Sequence, residues 1–165
     1  MRFEIVQYPD LILRKKAKEI EVVDKEVLKL LDDMAETMYD APGIGLAAPQ
    51  VGKPLKVIVA DISSRGEESE LIKLVNPHIV HAEGEDVLEE GCLSIPGFSE
   101  EVKRATKVVV RGLNEKGKEV EIVAEGLLAR VFQHEIDHIE GRLFIDHLSK
   151  IKRELIKHSI KKSKG

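Results

Sequence analysis

Tryptophan is absent from this 165-residue chain, and aromatic residues make up only 4% of it. That scarcity removes the stacked aromatic platform on which single-stranded nucleic acids are bound, and no sequence-specific nucleic-acid partner is expected. Cysteine is nearly missing as well. The lone Cys92 rules out an internal disulfide framework and fits a reducing compartment, so a cytoplasmic location is expected. No apolar run approaches the length of a membrane span, and the opening Met1-Arg2-Phe3-Glu4-Ile5-Val6 lacks the apolar core of a secretory signal. Internal repeats, low-complexity stretches and linkers are also missing, which leaves one compact domain long enough to bury a core unaided.

Hydrophobic content of 42% and charged content of 34% describe a globular protein. The charge is unevenly placed. From Lys150 onward seven basic residues face a single acid, Glu154, whereas the rest of the chain is net acidic. The chain therefore reads as a body over residues 1–148 and a basic helical tail over residues 149–165.

Asp24 is placed to cap a helix whose apolar positions Val27, Leu30, Leu31, Met34 and Met38 follow the helical period until Pro42 and Gly43 stop it. A glycine-rich loop follows, Gly43-Ile44-Gly45-Leu46-Ala47-Ala48-Pro49-Gln50. Residues 55–62 read as a buried strand, and residues 71–75 and 78–80 as two short strands on either side of Asn76-Pro77. Residues 106–113 and 119–124 flank Asn114-Glu115-Lys116-Gly117, a hairpin signature. A helix is predicted over residues 125–140, stopped by Gly141. A last amphipathic helix sets Leu148, Ile151, Leu155, Ile156 and Ile160 on one side. The fold class expected is α+β: short antiparallel strands around a central helix, with an N-terminal helix and a C-terminal amphipathic helix.

That central helix carries His134-Glu135-Ile136-Asp137-His138. Residues four apart share a helix face, so both imidazoles can reach one cation, with Glu135 beside them to handle a proton of bound water. A hydrolytic site of this kind needs a third protein ligand. The position where one metalloprotease pattern wants another histidine is Phe144, which closes that route. Glu154 from a later helix and His78 or His81 stay open. Cys92, within Glu89-Glu90-Gly91-Cys92-Leu93-Ser94-Ile95-Pro96-Gly97, is the better candidate, because a thiolate binds divalent transition metals strongly.

Three blocks together resemble the peptide deformylase family: Gly43-Ile44-Gly45-Leu46-Ala47-Ala48-Pro49-Gln50, Glu90-Gly91-Cys92-Leu93-Ser94 and Gln133-His134-Glu135-Ile136-Asp137-His138. Their order and spacing are similar too, and the resemblance runs from Tyr8-Pro9-Asp10 to about Leu148. It implies a hydrolase that removes the N-formyl group from the starting methionine of nascent polypeptides and releases formate. It further implies that Cys92, His134 and His138 hold one divalent metal ion, Fe(II) foremost, with Zn, Ni or Co accepted. By the same resemblance Glu135 moves the proton, while the Gln50 amide and the Leu93 N–H stabilise the developing oxyanion. Gly45 would let substrate approach closely. Gly43 and Ile44 would hold the peptide as an added strand, and Ile44, Leu127 and Val131 would wall a pocket for the methionine side chain. Glu90 is expected to pair with Arg104, and Gln133 and Asp137 to support the structure.

The chain departs from the family at Ser99, where many members carry a peptide-binding arginine; Arg104 or Arg130 would have to substitute. In some bacterial relatives a C-terminal helix docks on the ribosome, and Lys152, Arg153, Lys157, Lys161 and Lys162 offer the charge for it. Two rival readings make different expectations. A zinc peptidase would cleave internal peptide bonds. A domain with a structural metal would show a fourth protein ligand and no open position.

Overall fold

The computed structural model describes residues 2–63 and 67–164. Helix α1 spans Lys25–Asp40; the Asp24 carboxylate accepts from Val27 N–H at 3.0 Å and caps it. Strands β1 (Gly45–Ala47), β2 (Val57–Ala60), β3 (Ile72–Glu83), β6 (Lys107–Leu113) and β7 (Glu119–Glu125) form an antiparallel sheet in the order β1-β2-β3-β6-β7. Strands β4 (Asp86–Cys92) and β5 (Ile95–Arg104) pair only with each other, as a separate ribbon. Helix α2 spans Gly126–Ile139 and α3 spans Lys150–Lys164.

Strand β2 is covered on both faces, which is why its sequence is unbroken Val-Ile-Val-Ala. Alternate residues of a strand point to opposite faces. Val57 and Val59 pack with Leu30, Leu31, Met34 and Met38 of α1. Ile58 and Ala60 pack with Ala129, Phe132 and Ile136 of α2, together with Leu74, Val108 and Val110. A strand between two helices needs apolar residues at every position. α2 is thus the central helix expected of the α+β fold.

Three local expectations change. One strand, Ile72–Glu83, stands where two were expected. Asn76 adopts φ 52°, and the register with β6 shifts between Val75 and His78, so the chain bulges there without leaving the sheet. The Asn76 amide pays for that bulge by pairing with both Ile20 N–H and Ile20 C=O at 2.8 Å. The ribbon was not expected as strands at all. On α3, Ile156 and Ile160 are buried against Leu13, Ile95, Val102 and Phe144, but Ile151 and Leu155 are 74% and 62% exposed. The five apolar residues assigned to the last helix therefore do not share one buried side. The hairpin reading holds: Asn114 Oδ1 accepts from Lys116 N–H and Lys118 N–H at 2.9 and 3.0 Å, and Gly117 turns at φ 74°. No helix among the described residues is long and apolar enough to cross a membrane.

Candidate metal centre and active cleft

α2 aims His134 and His138 at the turn that joins β4 to β5. Cys92 closes β4, and Leu93 and Ser94 make the turn. The ligand atoms of Cys92, His134 and His138 lie within 4.8 Å of one another, and this is the one such cluster among the described residues. Cys92 Sγ stands 3.3 Å from His138 Nε2. His78 and His81 sit exposed on β3, and Glu154 lies on α3 beside Lys157 at 3.9 Å, so none of the three joins the cluster.

The donors suit a divalent transition metal. The His134 Nδ1 edge is taken by Glu90 Oε1 at 2.7 Å, which leaves Nε2 for a cation. Burial works against protonation of His134, but the charges of Glu135 and Cys92 and the hydrogen bond with Glu90 outweigh it and draw positive charge to this spot. Burial together with neighbouring His134 pushes His138 far down, so it is held neutral, as a ligand must be. Glu135 is pushed up to about 7, first by burial, with the positive pull of His134 opposing it. Its Oε1 is buried without a hydrogen-bond partner, as is His138 Nδ1. An unpaired buried carboxylate oxygen costs free energy unless a ligand or water completes it.

A cleft of about 430 Å³ opens beside the cluster, lined by Gly43, Ile44, Gly45, Gln50, Leu93, Leu127, Val131, His134 and Glu135, among others. Every residue expected in the substrate pocket is there. Ile44 is the outer wall. Its C=O accepts from Asp61 N–H at 2.9 Å, which extends the β1–β2 ladder by one pair. The Asp61 carboxylate is buried and accepts from Ser63 O–H at 2.5 Å, from Tyr39 O–H, from Ser63 N–H at 2.9 Å and from Ser69 O–H at 3.0 Å. Burial would raise its pKa, but these bonds, chiefly those from Ser63 and Tyr39, hold it well below the usual carboxylate range.

Gln50 serves three partners. Its Oε1 accepts from Ala47 N–H at 3.0 Å, while its Nε2 points at Ser94 Oγ (3.1 Å) and Cys92 Sγ (3.6 Å). Gly45 is required by the protein itself, because a Cβ there would stand 2.6 Å from Glu135 Oε2. At Gly43 a Cβ would meet Leu93 Cδ1 at 2.9 Å. Gln133 clamps Ala105 through N–H and C=O at 3.0 and 2.9 Å, and Asp137 accepts from Arg104 at 2.6 Å and from His147 at 2.8 Å.

Glu90 pairs with Arg104 as expected, bidentately at 2.8 and 2.9 Å, but also with Arg130 at 2.5 Å. Both arginines are buried in this network, so neither is free to stand in for the missing arginine at Ser99, whose hydroxyl donates to Glu89. Residues missed in the sequence include Glu89, Gly97 and Phe98 in the cleft lining. Phe144 was also missed: its ring stacks on His134 with centroids 6.4 Å apart. An aromatic residue that shields a ligand ring has no signature beyond its apolarity.

The chain is similar in sequence and fold to known proteins. The family model described as Polypeptide deformylase matches residues 2–154. A peptide deformylase of Syntrophobacter fumaroxidans is 57% identical over 159 residues, covering 96% of this chain and 94% of that protein. One of Thermodesulfovibrio yellowstonii is 53% identical over 161 residues, covering 98% of each. The crystal structure of a peptide deformylase from Legionella pneumophila superposes with a TM-score of 0.92 at 48% identity, over 99% of this chain and 96% of that one. The metal-binding cluster, the cleft and these matches together make the chain a member of the polypeptide deformylase family.

Proposed function

We propose that the cleft removes the N-formyl group from formyl-methionyl nascent polypeptides, with Cys92, His134 and His138 holding one divalent metal ion. The observation that carries this reading is the meeting of one thiol and two imidazoles beside a buried carboxylate oxygen with no partner. When bound, the metal supplies Lewis acidity, which acidifies a water and polarises a carbonyl. Sulfur and imidazole donors suit several metals, and the family resemblance favours Fe(II) over Zn, Ni or Co.

The side chains of this chain then divide the work. Glu135 takes the proton of the attacking water at Oε1 and returns it to the leaving amine, which must be protonated to depart. Gln50 Nε2 and the Leu93 N–H donate to the oxygen that gains negative charge. Gly43 and Ile44, at the free edge of the large sheet, hold the peptide as an added strand. Ile44, Leu127 and Val131 receive the methionine side chain, whose burial contributes about 2 kcal/mol. With Ser99 in place of an arginine, the downstream peptide is held by its backbone alone.

Two variants test this division. Glu135→Ala should abolish turnover and keep the metal, whereas Cys92→Ala should lose metal as well. A Glu135→Ala protein that still turns over at a tenth or more of the wild-type rate (a loss of only about 10-fold) contradicts the assignment.

Residues 1–148 carry the chemistry in this reading, and residues 149–165 form a basic tail that meets ribosomal RNA in the cytoplasm. Lys152 is paired with Glu100 at 3.3 Å, and Lys161 and Lys162 lie exposed. Reversing Lys161 and Lys162 to Glu spares the buried Ile156 and Ile160 and should weaken co-sedimentation with ribosomes. Unchanged co-sedimentation refutes the docking.

A further inference from the structure

The metal ligands come from two parts of the fold that share no apolar core. α2 buries Ala129, Val131, Phe132, Ile136 and Ile139 against the large sheet. The ribbon buries Ile95 and Val102 in another cluster, with Leu143, Phe144 and Leu148. Among the described residues, no apolar cluster contains members of both α2 and the ribbon. Apolar contact between the two parts runs through Phe144, which packs with Ile95 and Val102 and stacks on His134 at 6.4 Å. Ion pairs and hydrogen bonds supply further links.

Besides the contact of Cys92 with His138, three polar links cross that boundary. Glu90 reaches His134 itself, Arg104 reaches Asp137, and Arg130 reaches back from α2 to both strands of the ribbon. The third is the most extensive. Arg130 Nη1 donates to Glu90 Oε2 at 2.5 Å and to Val102 C=O at 3.0 Å. Its Nη2 donates to Asp86 Oδ1 at 2.7 Å and to Asp86 C=O at 3.3 Å. The side chain is 5% exposed and hydrogen-bonds to none of the ligand atoms. Arg104 is already shared between Glu90 and Asp137, and Arg130 adds a second cation to the network together with bonds to two strands. A planar fork bonded to β4 and β5 at once fixes a spacing in a way that a point charge cannot.

We infer that Arg130 is a positioning residue: it sets the separation between the cysteine ribbon and the histidine helix, and through it the affinity and geometry of the metal site. The inference rests on Cys92, His134 and His138 being the ligands. Arg130→Lys keeps the charge and loses the fork, and Asp86→Asn trims the outer end of the same link at a half-exposed position.

The test is titration of the metal-free full-length proteins with Co(II) alone. Affinity is read by chelator competition, and geometry by the ligand-field bands and the thiolate-to-cobalt charge-transfer band. Thermal unfolding of the metal-free forms is recorded in parallel. Arg130→Lys should bind Co(II) on the order of 10- to 100-fold more weakly, with a shifted ligand-field envelope. Asp86→Asn should move both readouts in the same direction by less. A folded variant pair that binds Co(II) within about threefold of wild type with unchanged spectra overturns the inference, whatever the unfolding temperatures do. Should Arg130→Lys fail to fold, Asp86→Asn decides alone by the same criterion. A wild-type spectrum with no thiolate band overturns the ligand assignment and the inference with it.

Discussion

Replacing Gly45 by alanine asks the cleft to admit one methyl group where two side chains already stand. The added Cβ would lie 2.6 Å from Glu135 Oε2 and 2.8 Å from Val131 Cγ1. Non-bonded carbon contacts settle near about 3.5–4.0 Å, so each overlap is roughly 1 Å. Val131 is buried, and a β-branched residue in a helix has one strongly preferred rotamer, so it cannot swing away. The Glu135 carboxylate is the far end of a longer side chain and is what gives. Gly45 is not one of the glycines with positive φ, so alanine brings no backbone strain. The stability cost is then that of modest overpacking, about 1–3 kcal/mol, or a few degrees in Tm for a chain of this size. The catalytic cost is larger, because about 1 Å of misplacement of a reacting group lowers the rate about 100-fold. The assay is formate release from formyl-Met-Ala-Ser, with metal content and Tm measured on the same preparation. The expected result is a loss of about 100-fold in kcat with metal retained. A rate within about threefold of wild type refutes the placement of Glu135 as the proton carrier. So does a rate loss that tracks metal loss.

Phe144→Ala should destabilise the protein by about 3–5 kcal/mol in denaturant unfolding of the metal-free form, because the ring is fully buried and stacks on His134. A cost under about 1 kcal/mol contradicts that packing. Asp61 gives a pH prediction. Its folded pKa lies below the unfolded value near about 3.9, so its stabilisation is present above that pH and is lost as pH falls towards the folded value. Asp61→Asn should therefore have a lower Tm at neutral pH and a shallower decline below about pH 4. Parallel acid limbs for the two proteins would contradict it.

The sequence disclosed the elements whose chemistry and periodicity coincide. The α1 face at Val27, Leu30, Leu31, Met34 and Met38 is buried at every position, because helical period and core face are the same signal there. The histidine pair follows from helix spacing alone. The ribbon left no such trace. Val87 and Leu88 are half exposed, and Glu89, Glu100 and Glu101 occupy strand positions, so no apolar alternation marks it. Ile95 and Val102 are buried, but they stand too far apart among charged residues to show as a strand period. Arg130 was read only as a candidate to hold the peptide; its burial on α2 against Glu90 and Asp86 depends on which strands pack beside the helix, which the sequence does not show. The outward turn of Ile151 and Leu155 could not be read, since α3 has two apolar edges and only one meets the core.

The central claim is that this cleft hydrolyses a formamide and not a peptide bond. Anaerobically prepared protein loaded with Fe(II) should release formate from formyl-Met-Ala-Ser, release nothing from the acetylated peptide, and leave the Met-Ala bond intact. Absence of formate from an intact, metal-loaded preparation, or cleavage of the internal bond, would contradict it.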